Sequence, residues 1–230
     1  MLTFHIITLF PNTFDSYLAE SIIGRAIKNK KIKIKFYNPR DFTKAKDKSG
    51  YTQIDARAYG GGPGMVMQAE PILKVISKIK SQISKNKNNK SQTIFFSPDG
   101  EQFSNKLAEN FAKKLENIIL ICGRYEGIDE RVVKISKAKK VSVGPYTLTG
   151  GELPAMVVLD TTARRLPGVL GKMSSVEENR ASSHAVYTRP EVLKYQGKNY
   201  KVPKVLLSGN HKKIDEWREK RQGTCGKIIT

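Results

Sequence analysis

Cysteine is scarce in this sequence. Cys122 and Cys225 are too few and too dispersed for a disulfide framework or a thiolate zinc site, so a cytoplasmic protein is the default expectation. Histidine is equally sparse, and His5, His184 and His211 lack metal-ligand spacing. No window approaches about 18 uninterrupted apolar residues. The opening run MLTFHIITLFPNTFDSYLAE has no basic leader, and neither export nor membrane spanning is expected. The glycine run from Gly60 to Gly64 lacks the lysine and hydroxyl of a P-loop, and no GxGxxG follows the first strand signal. ATPase and ordinary dinucleotide-binding readings are therefore weak.

Acidic residues are also in deficit, with 21 Asp and Glu against 41 Lys and Arg and a formal charge of +20. Such an excess argues for a polyanionic partner, because Lys and Arg contacts to phosphate supply most non-specific nucleic-acid affinity. Lysine dominates it, which is equally a general solubility habit. A chain of 230 residues buries one sizeable core and leaves material for a small second unit.

Phe4 to Phe10 reads as a strand ended by Pro11-Asn12. Asn12 or Thr13 is a candidate cap for a helix carrying Phe14, Leu18, Ile22 and Ile23 as far as Gly24. Ile32, Ile34 and Phe36 alternate with lysines as a second strand. Asp55 to Met65 is too rich in glycine for helix or central strand. It is either a surface loop or a main-chain surface that a flat group can approach, with Asp55 and Arg57 beside it. Pro71 opens a helix striped with Ile72, Val75, Ile76, Ile79 and Ile83. Thr93 to Phe96 predicts a short strand stopped by Ser97-Pro98-Asp99-Gly100, after which Ser104 caps a helix.

The stretch Asn117–Gly171 organises the rest. Two glycine-rich turns, Gly123 to Gly127 and Val143 to Gly151, each follow a strand signal and precede a helix, which is where open α/β sheets hold ligands. With Ser97-Pro98 they offer amides and carbonyls to the edges of a heterocycle. Glu126 either pairs with a ligand's ammonium or hydroxyl or simply opens a helix at its positive end. Asp160 and Arg164 stand four apart on one helix, as a commonplace salt bridge or with Arg164 free to reach a base or phosphate before Pro167-Gly168. Glu177-Glu178 lies in a polar linker, where a carboxylate accepts a proton if the linker folds over the site. Ser208-Gly209-Asn210-His211 caps a short helix with Ile214 and Trp217, and the last thirteen residues have little to bury.

At these positions the chain resembles the bacterial tRNA (guanine-N1)-methyltransferases that modify guanine 37 beside the anticodon, members of the knotted SPOUT superfamily. The resemblance runs to about Trp217. It rests on ITLFP, Asn38-Pro39-Arg40-Asp41-Phe42, Tyr59-Gly60-Gly61-Gly62-Pro63-Gly64-Met65, Ser97-Pro98-Asp99-Gly100, CGRYEGIDERV from Cys122, and Leu148-Thr149-Gly150-Gly151-Glu152-Leu153-Pro154-Ala155. Pro167 to Gly171, Tyr187 to Val192 and Leu206 to His211 add three more matches in the same order.

What the resemblance implies is an α/β fold with an open, mostly parallel sheet and a deep trefoil knot, although general connectivity rules argue against knots. The expected layout is a knotted domain over 1–171, a linker over 172–186 and a truncated tRNA-binding unit over 187–230. It further implies a homodimer with shared active sites and S-adenosylmethionine bound in the knot. Ser97, Pro98, Gly123, Arg124, Glu126, Gly127, Val143, Gly144, Pro145, Tyr146, Thr147, Leu148, Gly150 and Gly151 are the expected cofactor contacts. Asp55, Gly60, Gly61, Gly62, Pro63, Gly64, Arg189, Ser208, Asn210 and His211 are those expected for tRNA. By position, Glu178 matches the base that deprotonates guanine N1, and Arg164 the arginine that stabilises charge on O6. Magnesium is implied as well, though no ligand cluster for it is visible. The chain departs from the family in two places. Glu178 stands where an Asp is usual, in a linker about two residues shorter, and the family continues into further helices beyond Trp217.

Overall fold

The computed structural model describes residues 1–43, 52–85, 90–170 and 186–222. Its chain divides into a unit of Met1–Leu170 and a smaller one of Gly171–Thr230.

The first unit is built on five parallel strands: β1 (Leu2–Ile7), β2 (Ile32–Tyr37), β5 (Ser91–Gln102), β6 (Asn117–Ile121) and β7 (Lys139–Ser142), in the order β2-β1-β6-β5-β7. Parallel sheets need cover on both faces, and the side-chain period of two divides the apolar residues between them. Ile118 and Leu120 of β6 join Phe4 and Ile6 of β1 in one core. It is closed by α2 (Ser21–Lys28), α4 (Asn105–Lys114) and α6 (Glu152–Ala163). Ile119 and Ile121 face the opposite core under α3 (Ala69–Ser84) and α5 (Glu130–Ser136). The predicted stripe on α3 is fully used, and burying each isoleucine contributes roughly 1.5–3 kcal/mol.

Two local expectations change. The first helix is broken into a 3-10 turn (Pro11–Phe14), α1 (Asp15–Ala19) and α2, with no side-chain cap from Asn12 or Thr13. Instead the Thr13 hydroxyl donates to the Phe10 carbonyl at 2.7 Å. Ser97-Pro98-Asp99-Gly100 does not stop its strand. Both Phe96 and Glu101 pair with Val141, so these four residues loop out of β5 and the strand resumes beyond them. A side chain at Gly100 would begin 2.5 Å from the Val141 amide nitrogen, which only glycine avoids. The glycine run is the loop of a short antiparallel hairpin, β3 (Asp55–Ala56) with β4 (Val66–Met67), and Gly60, Gly61, Gly62 and Gly64 adopt φ of 81–107° there.

In the second unit, β8 (Val192–Tyr195) and β9 (Lys198–Lys201) form a hairpin whose Gln196-Gly197 turn has both residues at positive φ. After α7 (Lys204–Leu207), α8 runs from His211 to Gln222, into the stretch expected to have little structure. The Asn210 side chain accepts from the Lys213 amide at 3.1 Å, as a cap should. Tyr187 and Trp217 lie 6.5 Å apart.

Buried His5 marks the sheet's acid weakness. Its Nε2 meets the Asn117 side-chain oxygen Oδ1 at 3.0 Å, and Nδ1 lies 3.1 Å from the Tyr37 hydroxyl. Burial lowers its pKa below the ordinary 6.5. The unfolded chain therefore binds this proton first as pH falls, and stability is lost below about pH 6.5. Thermal melts at pH 7 and pH 5 are expected to show a smaller acid-induced loss in His5→Gln than in the parent.

Candidate active site

The chain turns sharply on leaving β6. Tyr125 at φ 60° and Gly127 at φ 129° reverse it, and the Gly127 amide closes on the Arg124 carbonyl at 3.1 Å. The same turn is laced to the glycine hairpin: the amides of Glu126, Met67 and Asp129 donate to Met65, Gly127 and Met67 in turn, each at 3.0 Å. Asp129 then caps α5 by accepting from the Arg131 amide at 2.9 Å. Its carboxyl is held below the usual range, chiefly by hydrogen bonds from the Arg131 side chain.

After β7 the chain doubles back through residues 143–151 to reach α6. The Gly151 amide donates to the Gly123 carbonyl at 3.0 Å, so the two turns touch. A side chain at Gly151 would start 2.5 Å from the Cys122 α-carbon. Close approach of main chain to main chain is what the glycines supply here.

These two turns and the β5 loop enclose a cavity of about 490 Å³ at the carboxyl rim of the sheet. Ser97, Pro98, Gly123, Arg124, Glu126, Gly127, Val143, Gly144, Tyr146, Thr147, Leu148, Gly150 and Gly151 all line it. Pro145, expected with them, is exposed outside the lining. Near Ser97, Lys140 adds a charge that sequence reading did not single out, 3.2 Å from Glu130 and 3.5 Å from Asp99. The Glu130 hydrogen bond leads the upward shift of its pKa.

The other expected residues are more scattered. Asp55 and Gly60 to Gly64 lie outside this lining, in the hairpin laced behind Glu126. Arg189, Ser208, Asn210 and His211 belong to the second unit, where the Ser208 hydroxyl accepts from the Asn210 amide at 3.3 Å. Arg164 is the half-buried C-cap of α6 and does not line the cavity. Its expected partner Asp160 accepts from the Tyr17 hydroxyl instead, and no ion pair joins Asp160 to Arg164 among the described residues. Tyr17 is pushed up to about 12, first by burial and then by that bond. Glu177, Glu178 and His184 lie outside the described residues.

Sequence reading missed Glu152. It follows two glycines at a helix start, where a carboxylate passes for an ordinary dipole partner. In the fold it is 3 % exposed beside Arg124. Burial, then the Glu152 charge, push the Cys122 thiol well above its usual pKa, so this cysteine is no nucleophile.

The model of the family described as tRNA (Guanine-1)-methyltransferase TrmD matches residues 2–227. A tRNA (guanine-N(1)-)-methyltransferase of Pseudoalteromonas atlantica is 43% identical over 222 residues, covering 95% of this chain and 79% of that protein. The like-named protein of Clostridioides difficile is 44% identical over 219 residues, covering 94% and 90%. The crystal structure of tRNA (m1G37) methyltransferase from Aquifex aeolicus superimposes with a TM-score of 0.74 at 36% identity, covering 98% of this chain and 92% of that one. A shared parallel-sheet fold and a match along nearly the whole sequence lead to one conclusion: the chain belongs to the tRNA (guanine-N1)-methyltransferase family.

Proposed function

We propose that this enzyme methylates N1 of guanine 37 in tRNA, with S-adenosylmethionine bound in the rim cavity. The observation that carries the proposal is the convergence of three turns, from distant parts of the chain, on one cavity walled largely by main chain. Its volume of about 490 Å³ falls within the range typical of cofactor sites. Close-packed glycines leave a flat surface, with a side chain at Gly123 set to begin 3.3 Å from the Phe95 ring, a lining suited to an adenine. When bound, the cofactor supplies a methyl group activated on a sulfonium.

Neutral guanine N1 is a poor nucleophile, so the protein must remove its proton. Glu178 is proposed as that base. As the N1 proton leaves, negative charge spreads to O6, and Arg164 at the end of α6 is proposed to stabilise it. The hairpin residues Asp55 and Gly60 to Gly64, with Arg189, Ser208, Asn210 and His211, are proposed to hold tRNA, and the excess of lysine to meet its phosphates. Among the described residues no group of three or more His, Cys, Asp or Glu could hold a metal ion.

The loops around the cavity are proposed to form the trefoil knot, and the enzyme to act as a cytoplasmic homodimer. Supporting the dimer, α6 is apolar on both sides. Ala155, Val158 and Leu159 fill the core, while Leu153 and Val157 remain 57% and 45% exposed near Tyr17, Tyr146 and Leu148. No helix among the described residues is long and apolar enough to cross a membrane.

Methyl transfer to tRNA transcripts carrying guanine or adenine at position 37 tests the proposal. Transfer to the first alone is expected, and equal transfer to both would refute the site of action.

A further inference from the structure

Glu152, Thr8, Phe10 and Arg124 close a ring of contacts behind the cavity. One Glu152 oxygen, Oε1, accepts from the Thr8 hydroxyl at 2.7 Å; the other, Oε2, lies 2.9 Å from Arg124 Nη2. The Thr8 hydroxyl also accepts from the Phe10 amide at 3.0 Å, and the Phe10 ring lies 4.7 Å from the Arg124 guanidinium carbon. Thr8 is fully buried and Glu152 nearly so. A charge held this far from water persists only with its partners in place, and losing one of them is strongly disruptive.

The ring joins three separate pieces of chain. Thr8 and Phe10 follow β1, Arg124 belongs to the turn after β6, and Glu152 opens α6 directly behind the 143–151 turn. That second turn is pressed onto the pair: a side chain at Gly150 would begin 2.5 Å from Arg124 Nε and 2.7 Å from Glu152 Oε2. Arg124 Nη1 also donates to the Thr149 carbonyl at 3.4 Å. Both turns that wall the cavity are therefore tied to one carboxylate.

We propose that Glu152 is a positioning residue: through Arg124 and Thr8 it sets the spacing of the two cavity walls, and with it the affinity for the cofactor. This rests on the cavity being the S-adenosylmethionine site. Glu152 acts through its neighbours, so its loss should raise KM for S-adenosylmethionine far more than it lowers kcat, and leave KM for tRNA unchanged.

Calorimetric titration of the full chain with S-adenosylhomocysteine, alongside thermal melts, tests this. Glu152→Gln keeps the shape but loses the charge, and Kd should rise about 100-fold, the scale of leaving a buried charged partner without its counter-charge. Thr8→Val should raise Kd roughly 10-fold by leaving a buried acceptor unpaired, whereas Thr8→Ser, which keeps the hydroxyl, should stay within about 3-fold. A purely structural role would lower the melting temperature while the folded fraction kept the parental Kd, and that result overturns the proposal. Should Glu152→Gln not fold, equal Kd values for Thr8→Val and Thr8→Ser overturn it too. If the parent itself binds no S-adenosylhomocysteine, the cofactor assignment falls and this inference with it. A parent that binds while Glu152→Gln binds equally well refutes the inference alone.

Discussion

Replacing Glu178 by glutamine is expected to lower kcat for methyl transfer by about 10²–10⁴-fold, the range a positioned general base contributes. The reason lies in the substrate. At N1 the lone pair needed for attack becomes available only as the proton leaves. Glutamine matches glutamate in size and has an acceptor oxygen, but it cannot take up that proton. Affinity for the cofactor should hardly change, because the substitution keeps the size of the side chain and removes only its capacity to take up a proton. Glu178→Asp keeps the carboxylate at the length the family normally uses, so it should retain much more activity than Glu178→Gln. Single-turnover methylation with excess enzyme measures this directly. Unchanged turnover in Glu178→Gln would remove the base assignment.

Arg164→Ala is the second large effect, with an expected loss of roughly 10²–10³ in kcat, as for removal of one preorganised donor from a developing oxyanion. Arg164 is well prepared for such work. Its amide donates to the Asp160 carbonyl at 3.0 Å, which fixes its backbone at the C-cap of α6. Tyr17 donates to one oxygen of the Asp160 carboxylate, and no ion pair joins Asp160 to the Arg164 guanidinium among the described residues. Arg164→Lys keeps the charge but loses the planar fork, and should fall between the parent and Arg164→Ala. Rates of Arg164→Ala within a few-fold of the parent, at saturating tRNA and cofactor, would show that O6 charge is stabilised elsewhere.

Most of the sheet and its helices were legible in the sequence because their signals are local. The isoleucine stripe of α3 and the Ser104 cap of α4, which accepts from the Leu107 amide at 3.3 Å, depend on residues a few positions apart. So does the apolar run of β6, buried on both faces. The cavity turns were legible for the same reason, as glycine clusters after strand signals. What escaped notice depends on distant partners. Nothing near Ser97 reveals that Glu101 will resume pairing with β7, because that is decided by Val141 forty residues on. Nor does Glu152 announce itself, since Thr8 lies 144 residues away. The Asp160–Arg164 spacing suggested a local pair, but Tyr17, from α1, supplies the closer partner. The Gln196-Gly197 turn carries a local signal in its glycine, which adopts positive φ.

The central claim is that a methyl group carried in the 123–151 cavity is delivered to guanine N1. Mass-spectrometric identification of the methylated nucleoside, after digestion of tRNA treated with the enzyme and isotopically labelled S-adenosylmethionine, tests it most directly. The expected product is labelled 1-methylguanosine from position 37 and no other labelled nucleoside. Label in a different base, in a ribose, or at another atom of guanine would contradict the account.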